Sequence, residues 1–422
     1  MEGIAQAVAA QRSLVDALFD ALRQDGLDPP GVSRDPYGAG EQRAHATIRR
    51  AAQALDLVIA SDAAANLYMT WPGTDRAAPA VLIGSHLDSV PHGGNFDGAA
   101  GVVAGLAAIA ALRSLGWRPS CDITVMAIRA EESVWFQVSY IGSRGALGVL
   151  PDGALDVRRV DTGRTLAEHI RDCGGDPDAL AAGARHLDPA RLRAYLELHI
   201  EQAPSLVEAG IPVGICTGIP GNFRHPHVTI HGDTAHVGLP RRFRHDAAMA
   251  GADFAMALDR VWQEHEERGV PMCFTIGRFH TDAAQHGLTI VPGIFQFSLD
   301  VRAYDTGVLA ALESAVDGIV ADVEQRRGVR FERGARPGAA VGPVDPAIAA
   351  ALTAHAAALG VPTMELGSPA SHDAAAFAAA GVPMGMLFVR NENGSHNPHE
   401  AMETDDFLSA TSIMAAWLAD IA

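Results

Sequence analysis

Two strand-length apolar runs flank a helix-length one in this chain, and candidate metal ligands follow each strand. Val81-Leu82-Ile83 reads as a short buried strand, Ala99–Leu115 as a helix and Ile123–Ile128 as the next strand. That alternation predicts an α/β layer, a mixed and mostly parallel sheet with flanking helices. Chemistry in such sheets gathers at the carboxyl ends of the strands. His86 falls just past the first strand and Glu131-Glu132 just past the second. Ala99–Leu115 is almost wholly apolar, but its glycines and its place after a polar loop make it a core helix rather than a membrane span.

Upstream, Ser13–Arg23 is an amphipathic helix with Leu14, Leu18 and Leu22 on one face, and Gln42–Leu57 is another. The texture changes near Ile211. His227–His231 alternates polar and apolar, Arg244–Val261 reads as a helix, and Met272–Phe279 and Gly293–Arg302 read as strands. The second of these puts Phe295, Phe297, Leu299 and Val301 on one face and Gln296, Ser298, Asp300 and Arg302 on the other. A helix Thr306–Gln325 and a strand Val329–Arg333 complete a β-α-β-β-α-β unit, the ferredoxin-like α+β arrangement. The expected organisation is therefore two domains, 1–212 with 337–422, and an inserted 213–336. The first should resume near Asp345 with a helix ending near Gly360.

The balance of charges excludes some functions. The 422 residues carry a formal net charge of −18 and no basic stripe, which disfavours a phosphate-backbone partner. Cys121, Cys173, Cys216 and Cys273 are far apart with no Cys-x-x-Cys spacing, so buried reduced thiols are expected. No basic segment and apolar core open the chain, and no 18-residue apolar run occurs, so a cytoplasmic protein without a membrane span is expected.

Five segments offer a His or a carboxylate beside an apolar run. In His86-Leu87-Asp88 the carboxylate can hold the imidazole that faces a metal. In Gly93-Gly94-Asn95-Phe96-Asp97-Gly98 the glycines allow a tight turn that places Asp97 before a helix, where one carboxylate could bridge two metals. Adjacent Glu131 and Glu132 repel when buried unless cations or a shared proton intervene. One can ligate while the other takes a proton from water. In Leu196-Glu197-Leu198-His199-Ile200-Glu201-Gln202, His199 shares a strand face with Glu197 and Glu201. Gly394-Ser395-His396-Asn397-Pro398-His399-Glu400 is a loop with two histidines. Each has a plain alternative: a satisfied core histidine, an N-cap at Asp97, a solvated acidic turn or a solvated loop. Together they suit a two-metal hydrolytic centre.

As a set these segments resemble the hydantoinase/carbamoylase branch of the M20 metallopeptidase-like amidohydrolases, over about Gly31 to Ala415. That branch includes N-carbamoyl-L-amino acid hydrolases and allantoate and ureidoglycolate amidohydrolases. Ser33-Arg34-Asp35-Pro36-Tyr37-Gly38-Ala39-Gly40-Glu41-Gln42 is similar to its substrate-facing N-terminal loop, and Glu197–Gln202 to its signature. The resemblance implies a catalytic domain holding two divalent ions per subunit, of zinc, manganese, cobalt or nickel. His86 and His199 would hold one ion, Glu132 and His396 the other, and Asp97 both. Glu131 becomes the general base and Gln202 a residue near the substrate. His236 becomes the lid histidine that stabilises the oxyanion in the partner subunit's site. Arg302 becomes the holder of a small-molecule substrate's carboxylate, and a homodimer the working unit.

Four departures from the branch's usual pattern bear on the substrate. Thr289 precedes Ile290-Val291-Pro292-Gly293 where an Asn is usual. Trp135 replaces an arginine after Glu131-Glu132, and Ser371 replaces the glycine before His372-Asp373. The His236 loop is one residue short at Leu239-Pro240. The expected reaction is hydrolysis of the carbamoyl C–N bond of N-carbamoyl-L-amino acids. Allantoate or ureidoglycolate hydrolysis, with a different fit around Thr289, Ser371 and Arg390, is the alternative. An M20 dipeptidase and a non-catalytic binder stand further off.

Overall fold

The computed structural model describes residues 2–422 and divides them into two compact units. The first runs to Ile219 and resumes at Pro343; the second is Pro220–Gly342. In the first unit, α1 (Arg12–Asp25) buries Val15, Leu18, Phe19 and Leu22, and α2 (Ala39–Ala54) buries Ala44, Ile48 and Ala52. Both stripes have the three-to-four spacing of a helix that covers a core. The strands β1 (Val58–Ser61), β2 (Leu67–Trp71) and β3 (Ala80–His86) follow. In α3 (Ala99–Ser114) every residue from Ala99 to Leu112 is buried, which is why its sequence shows no polar face. Then come β4 (Ile123–Ile128), β5 (Leu192–Ile200) and β6 (Val213–Cys216).

The second unit is built from β7 (Gly221–His231), α4 (Ala247–Glu267), β8 (Met272–Thr275), β9 (Phe279–Thr281), β10 (Ile294–Ala303), α5 (Thr306–Arg327) and β11 (Arg330–Glu332). The chain returns to the first unit with α6 (Pro346–Leu359), β12 (Thr363–Leu366), β13 (Met384–Val389) and α7 (Thr404–Ile421). Asp345 caps α6 with its side chain and Gly360 ends it in a left-handed conformation, the two signals that mark these positions in the sequence.

The first unit's sheet has eight strands in the order β12-β6-β13-β5-β3-β4-β2-β1. Four neighbours, β13, β5, β3 and β4, run parallel, with antiparallel pairing between β6 and β13 and from β4 through β2 to β1. α3 carries the chain from β3 to β4, while β5 pairs on the other side of β3. The strand order thus reverses between β3 and β5, the kind of position at whose carboxyl edge α/β sheets gather their sites. β3 runs through His86, past its apolar run, because Gly84, Ser85 and His86 continue the pairing with Met126, Ala127 and Ile128.

The second unit's sheet has the order β8-β10-β7-β11, every neighbouring pair antiparallel, with β9 also on β10. It is the expected βαββαβ arrangement. Phe295, Phe297, Leu299 and Val301 are buried with Phe254 of α4 and Leu312 and Val316 of α5. The register between β7 and β10 slips from His225 to Val228, around Pro226, a residue that cannot donate to the ladder.

Some expectations need correction. Residues 213–219 belong to the first unit, because β6 pairs with β12 and β13 in its sheet, and residues 337–342 belong to the second. Met272–Phe279 is not one strand: β8 and β9 pair with β10 separately, with residues 276–278 between them. Cys121 and Cys216 are buried and all four thiols are free, but Cys273 is exposed. Among the described residues no helix is long and apolar enough to cross a membrane.

Phe254 is 1% exposed, with ring centroids 5.0 Å from Phe297 and 5.9 Å from Phe331. Phe254→Ala should remove about 3–5 kcal/mol from the second unit. Urea unfolding followed by circular dichroism should show a transition at lower denaturant; an unchanged profile would contradict this packing.

Candidate metal centre

The four parallel strands deliver four loops to one edge of the first unit's sheet. β3 ends on His86 itself, β4 leads into residues 129–132, β5 holds His199 and leads to Gln202, and β13 leads into the loop of His396. Asp97 stands in the turn before α3, whose N-cap is Gly98 at φ 64°. A Cβ at Gly98 would lie 2.5 Å from the His86 ring, so the close approach of turn and imidazole needs glycine.

Two three-residue clusters meet at Asp97. Its Oδ1 lies 3.4 Å from His86 Nε2 and 3.2 Å from His199 Nε2. Its Oδ2 lies 3.4 Å from His396 Nε2, which is also 3.1 Å from Glu132 Oε1. The donor set fits divalent cations. Asp97 Oδ1 is buried with no hydrogen-bond partner. His199 Nδ1 faces the Ile200 carbonyl at 2.9 Å and His86 Nδ1 faces the Asp88 carbonyl at 3.1 Å. Protons on those nitrogens leave both Nε2 lone pairs aimed at the centre. Burial would raise the Asp97 carboxyl, but His199, His396 and His86 together hold it well below the usual carboxylate range.

Glu131 belongs to neither cluster. Burial pushes its carboxyl well up, with Glu132, Asp373 and Asp88 adding to the effect and His86 opposing it. The backbone that carries the pair is held by carboxylates. Ala130, at φ 52°, donates its N–H to Glu41 at 3.0 Å, and Glu131 and Glu132 donate theirs to the two oxygens of Asp88 at 3.0 Å each. Asp88 thus fixes the acidic pair as well as standing 3.3 Å from His86 Nδ1.

Gln202, at φ 65°, donates from Nε2 to Asp97 Oδ2 at 2.7 Å. Ser371 is half-buried with its hydroxyl unpartnered, next to His372, whose ring lies 4.4 Å from that of His199. Glu201 caps the following helix through the N–H groups of Ser205 and Leu206. Arg390 is tied to Asp406 at 2.8 Å. The other expected residues lie in the second unit. His236 is exposed on a two-residue strand opposite Ile290, and the neighbouring Thr289 carbonyl accepts the Val237 N–H at 2.9 Å. Arg302 stands on the polar face of β10, donating to Asp300 at 3.0 and 3.3 Å.

Several further charged or polar residues are buried around these clusters. Glu197 and His372 form a third cluster with His199, yet protein groups already satisfy it. Glu197 accepts from Ser85, Tyr195 and the Ala374 N–H, and His372 Nε2 pairs with Ser368. They are scaffold rather than a further cation site. Arg129 is ion-paired to Glu41 at 2.7 Å, and Arg34 and Glu400 flank the Asp97 turn.

Peptidase family M20/M25/M40 matches residues 82–420. The chain belongs to this family. Its relatives place this M20 chain in the hydantoinase/carbamoylase branch. It is 35% identical over 395 residues to an N-carbamoyl-L-amino acid amidohydrolase of Geobacillus stearothermophilus, covering 91% of this chain and 92% of the other. It is 28% identical over 419 residues to the allantoate amidohydrolase of Escherichia coli K12, covering 97% and 98%. A hydantoinase/carbamoylase family amidase from Burkholderia multivorans superposes with a TM-score of 0.84 at 27% identity, over 97% of this chain and 98% of the other.

Without metal, this M20 chain should hold more protons folded than unfolded near neutral pH. Burial and Glu197 push Asp373 up to about 8, and burial pushes Glu41 and Glu400 up to about 7. Hydrogen bonds to Asp97 and Glu132 raise His396 to about 11. A native state that binds more protons than the unfolded chain loses stability as pH rises. Buried His45 and His372 are shifted downward and work the other way only below the ordinary histidine pKa of about 6.5. The urea midpoint of chelator-stripped protein should therefore fall between pH of about 6.5 and 8. A flat or rising midpoint would contradict these electrostatics.

Proposed function

We propose that the chain is a two-metal amidohydrolase that cleaves the carbamoyl C–N bond of N-carbamoyl-L-amino acids. Water adds to the carbamoyl carbon, and the amino acid leaves together with carbon dioxide and ammonia. The strongest support is Asp97, which turns Oδ1 to His86 and His199 and Oδ2 to His396 and its neighbour Glu132. His86, His199 and Asp97 would hold one divalent ion and Asp97, Glu132 and His396 the other; zinc, manganese, cobalt and nickel all suit imidazole and carboxylate ligands. When bound, the ions would acidify the attacking water and polarise the scissile carbonyl.

Glu131, outside both ligand sets, takes the water's proton on its carboxylate and hands it to the leaving nitrogen. Burial, which raises its proton affinity, suits it to this work. Gln202 and Ser371 face the substrate. Arg302 grips the substrate carboxylate with paired N–H donors, a geometry that matches two oxygens, and Thr289 shapes that end of the site. His236 stabilises the oxyanion. The second unit acts as a lid and dimerisation domain, and His236 and Arg302 serve the neighbouring subunit of a homodimer. The 35% identity to an N-carbamoyl-L-amino acid amidohydrolase favours this substrate class. Allantoate is the second reading, favoured by the near full-length match to an allantoate amidohydrolase.

Glu131→Gln should keep both ions while turnover falls by at least about a hundredfold, the span of general acid–base catalysis. Metal analysis beside ammonia release decides it, and near-normal turnover of the loaded variant would remove Glu131 from this role. His236→Ala should lower kcat about a hundredfold or more. Arg302→Ala should mainly raise KM. Ammonia release from N-carbamoyl-L-amino acids, allantoate and ureidoglycolate tests the substrate. Metal-dependent release from a carbamoyl amino acid is expected; release from allantoate or ureidoglycolate alone would move the chain to the second reading.

A further inference from the structure

We propose that Arg34 and Glu400 are a pair of positioning residues that grip the turn Asn95–Asp97 from its two polar sides and so aim the oxygens of Asp97. The proposal rests on the two-metal reading above. Arg34, in the segment before α2, has a fully buried side chain. It donates Nε to the Leu87 carbonyl at 2.6 Å, Nη1 to Asn95 Oδ1 at 3.1 Å, and Nη2 to the carbonyls of Asn95 at 3.3 Å and Asp97 at 3.5 Å. Among the described residues it makes no ion pair with a carboxylate. Its donors go to three backbone carbonyls, that of Leu87 lying between His86 and Asp88, and to the Asn95 side-chain oxygen.

Glu400 is 5% exposed and takes the opposite side of the same turn. Its Oε1 accepts the N–H groups of Phe96 at 2.8 Å and Asp97 at 3.2 Å. Its Oε2 lies 2.8 Å from the hydroxyl of Ser395, the neighbour of His396. Gly94 makes room for it, since a Cβ there would lie 2.1 Å from the Glu400 carboxyl carbon. The turn's carbonyls thus face a guanidinium and its N–H groups face a carboxyl group. Hydrogen bonds to charged groups are roughly twice as strong as neutral ones. A buried charge is tolerated only where such partners are fixed. Glu400 also ties the Asp97 turn to the loop of His396, so residues of both clusters are set by one carboxylate. Arg34 joins the same turn to the end of β3. A metal site needs ligands held within about 0.5 Å, and a grip of this kind supplies that precision.

The test uses full-length protein stripped by chelator and titrated with cobalt(II), read by calorimetry and by visible absorption. Wild type, Glu400→Gln, Arg34→Lys and the double variant are compared, with hydrogen exchange at the Phe96 and Asp97 amides as a second readout. Each single variant should bind cobalt about 10–100-fold more weakly, the usual loss when a group that orients a ligand is changed. The double variant should lose no more than the weaker-binding single, because both grip one turn. Exchange at Phe96 and Asp97 should quicken in Glu400→Gln, and kcat should fall with KM nearly unchanged. Gly94→Ala, which displaces the Glu400 carboxyl without removing it, should reproduce the cobalt loss if Glu400→Gln does not fold. Unchanged cobalt affinity, unchanged exchange or additive losses would each overturn the proposal. Wild type that binds no cobalt would instead defeat the two-metal reading; a variant that binds as well as a cobalt-competent wild type defeats only the clamp.

Discussion

A single buried carboxylate, that of Asp97, faces two groups of side chains at once. Three histidines surround it, two on Oδ1 and one on Oδ2, and Glu132 stands beside the third. Carboxylates this deeply buried are costly unless positive charge lies close. The histidines supply some of it in the protein alone, which is why Asp97 is held in its charged form. At Glu131 burial, with Glu132, Asp373 and Asp88, outweighs His86 and pushes the carboxyl the other way. One acidic residue fit to ligate and another fit to carry a proton therefore differ mainly in which charges face them.

The fold serves this contrast by bringing four parallel strands to a common edge and turning the chain in opposite directions from β3. The loops so gathered are irregular, and their backbone N–H groups need acceptors. Acidic side chains meet much of that need: Glu41 at Ala130, Asp88 at Glu131 and Glu132, Glu400 at Phe96 and Asp97, and Glu201 at Ser205 and Leu206. Left-handed Ala130, Gln202 and His396 stand in the same loops, and such strained backbone persists only where its surroundings over-determine it.

Much of this was legible in the sequence because His86, Glu132 and His199 stand at or near the ends of strand-length apolar runs, and Asp97 just ahead of a helix-length one. The strands that carry or lead to His86, Glu132, His199 and His396 run six to nine residues, and a strand-length apolar run is a local signal. The alternating face of β10 and the caps of α6 were local in the same way. The unit boundary was not, since Val213–Cys216 is a short apolar strand whose choice of sheet is settled by distant β12 and β13. Arg34, Glu41, Glu197 and Glu400 fall inside segments that the sequence marks, but nothing local shows that their charged side chains are buried. Their burial depends on partners up to some three hundred residues away in the chain, as between Glu400 and Phe96.

The most direct test of the shared carboxylate is anomalous diffraction from crystals of the protein loaded with manganese. Two peaks about 3.5–4 Å apart, with Asp97 between them, are expected for a bridging carboxylate. His86 and His199 should flank one peak, and Glu132 and His396 the other. A single peak, or two that do not share Asp97, would contradict the account.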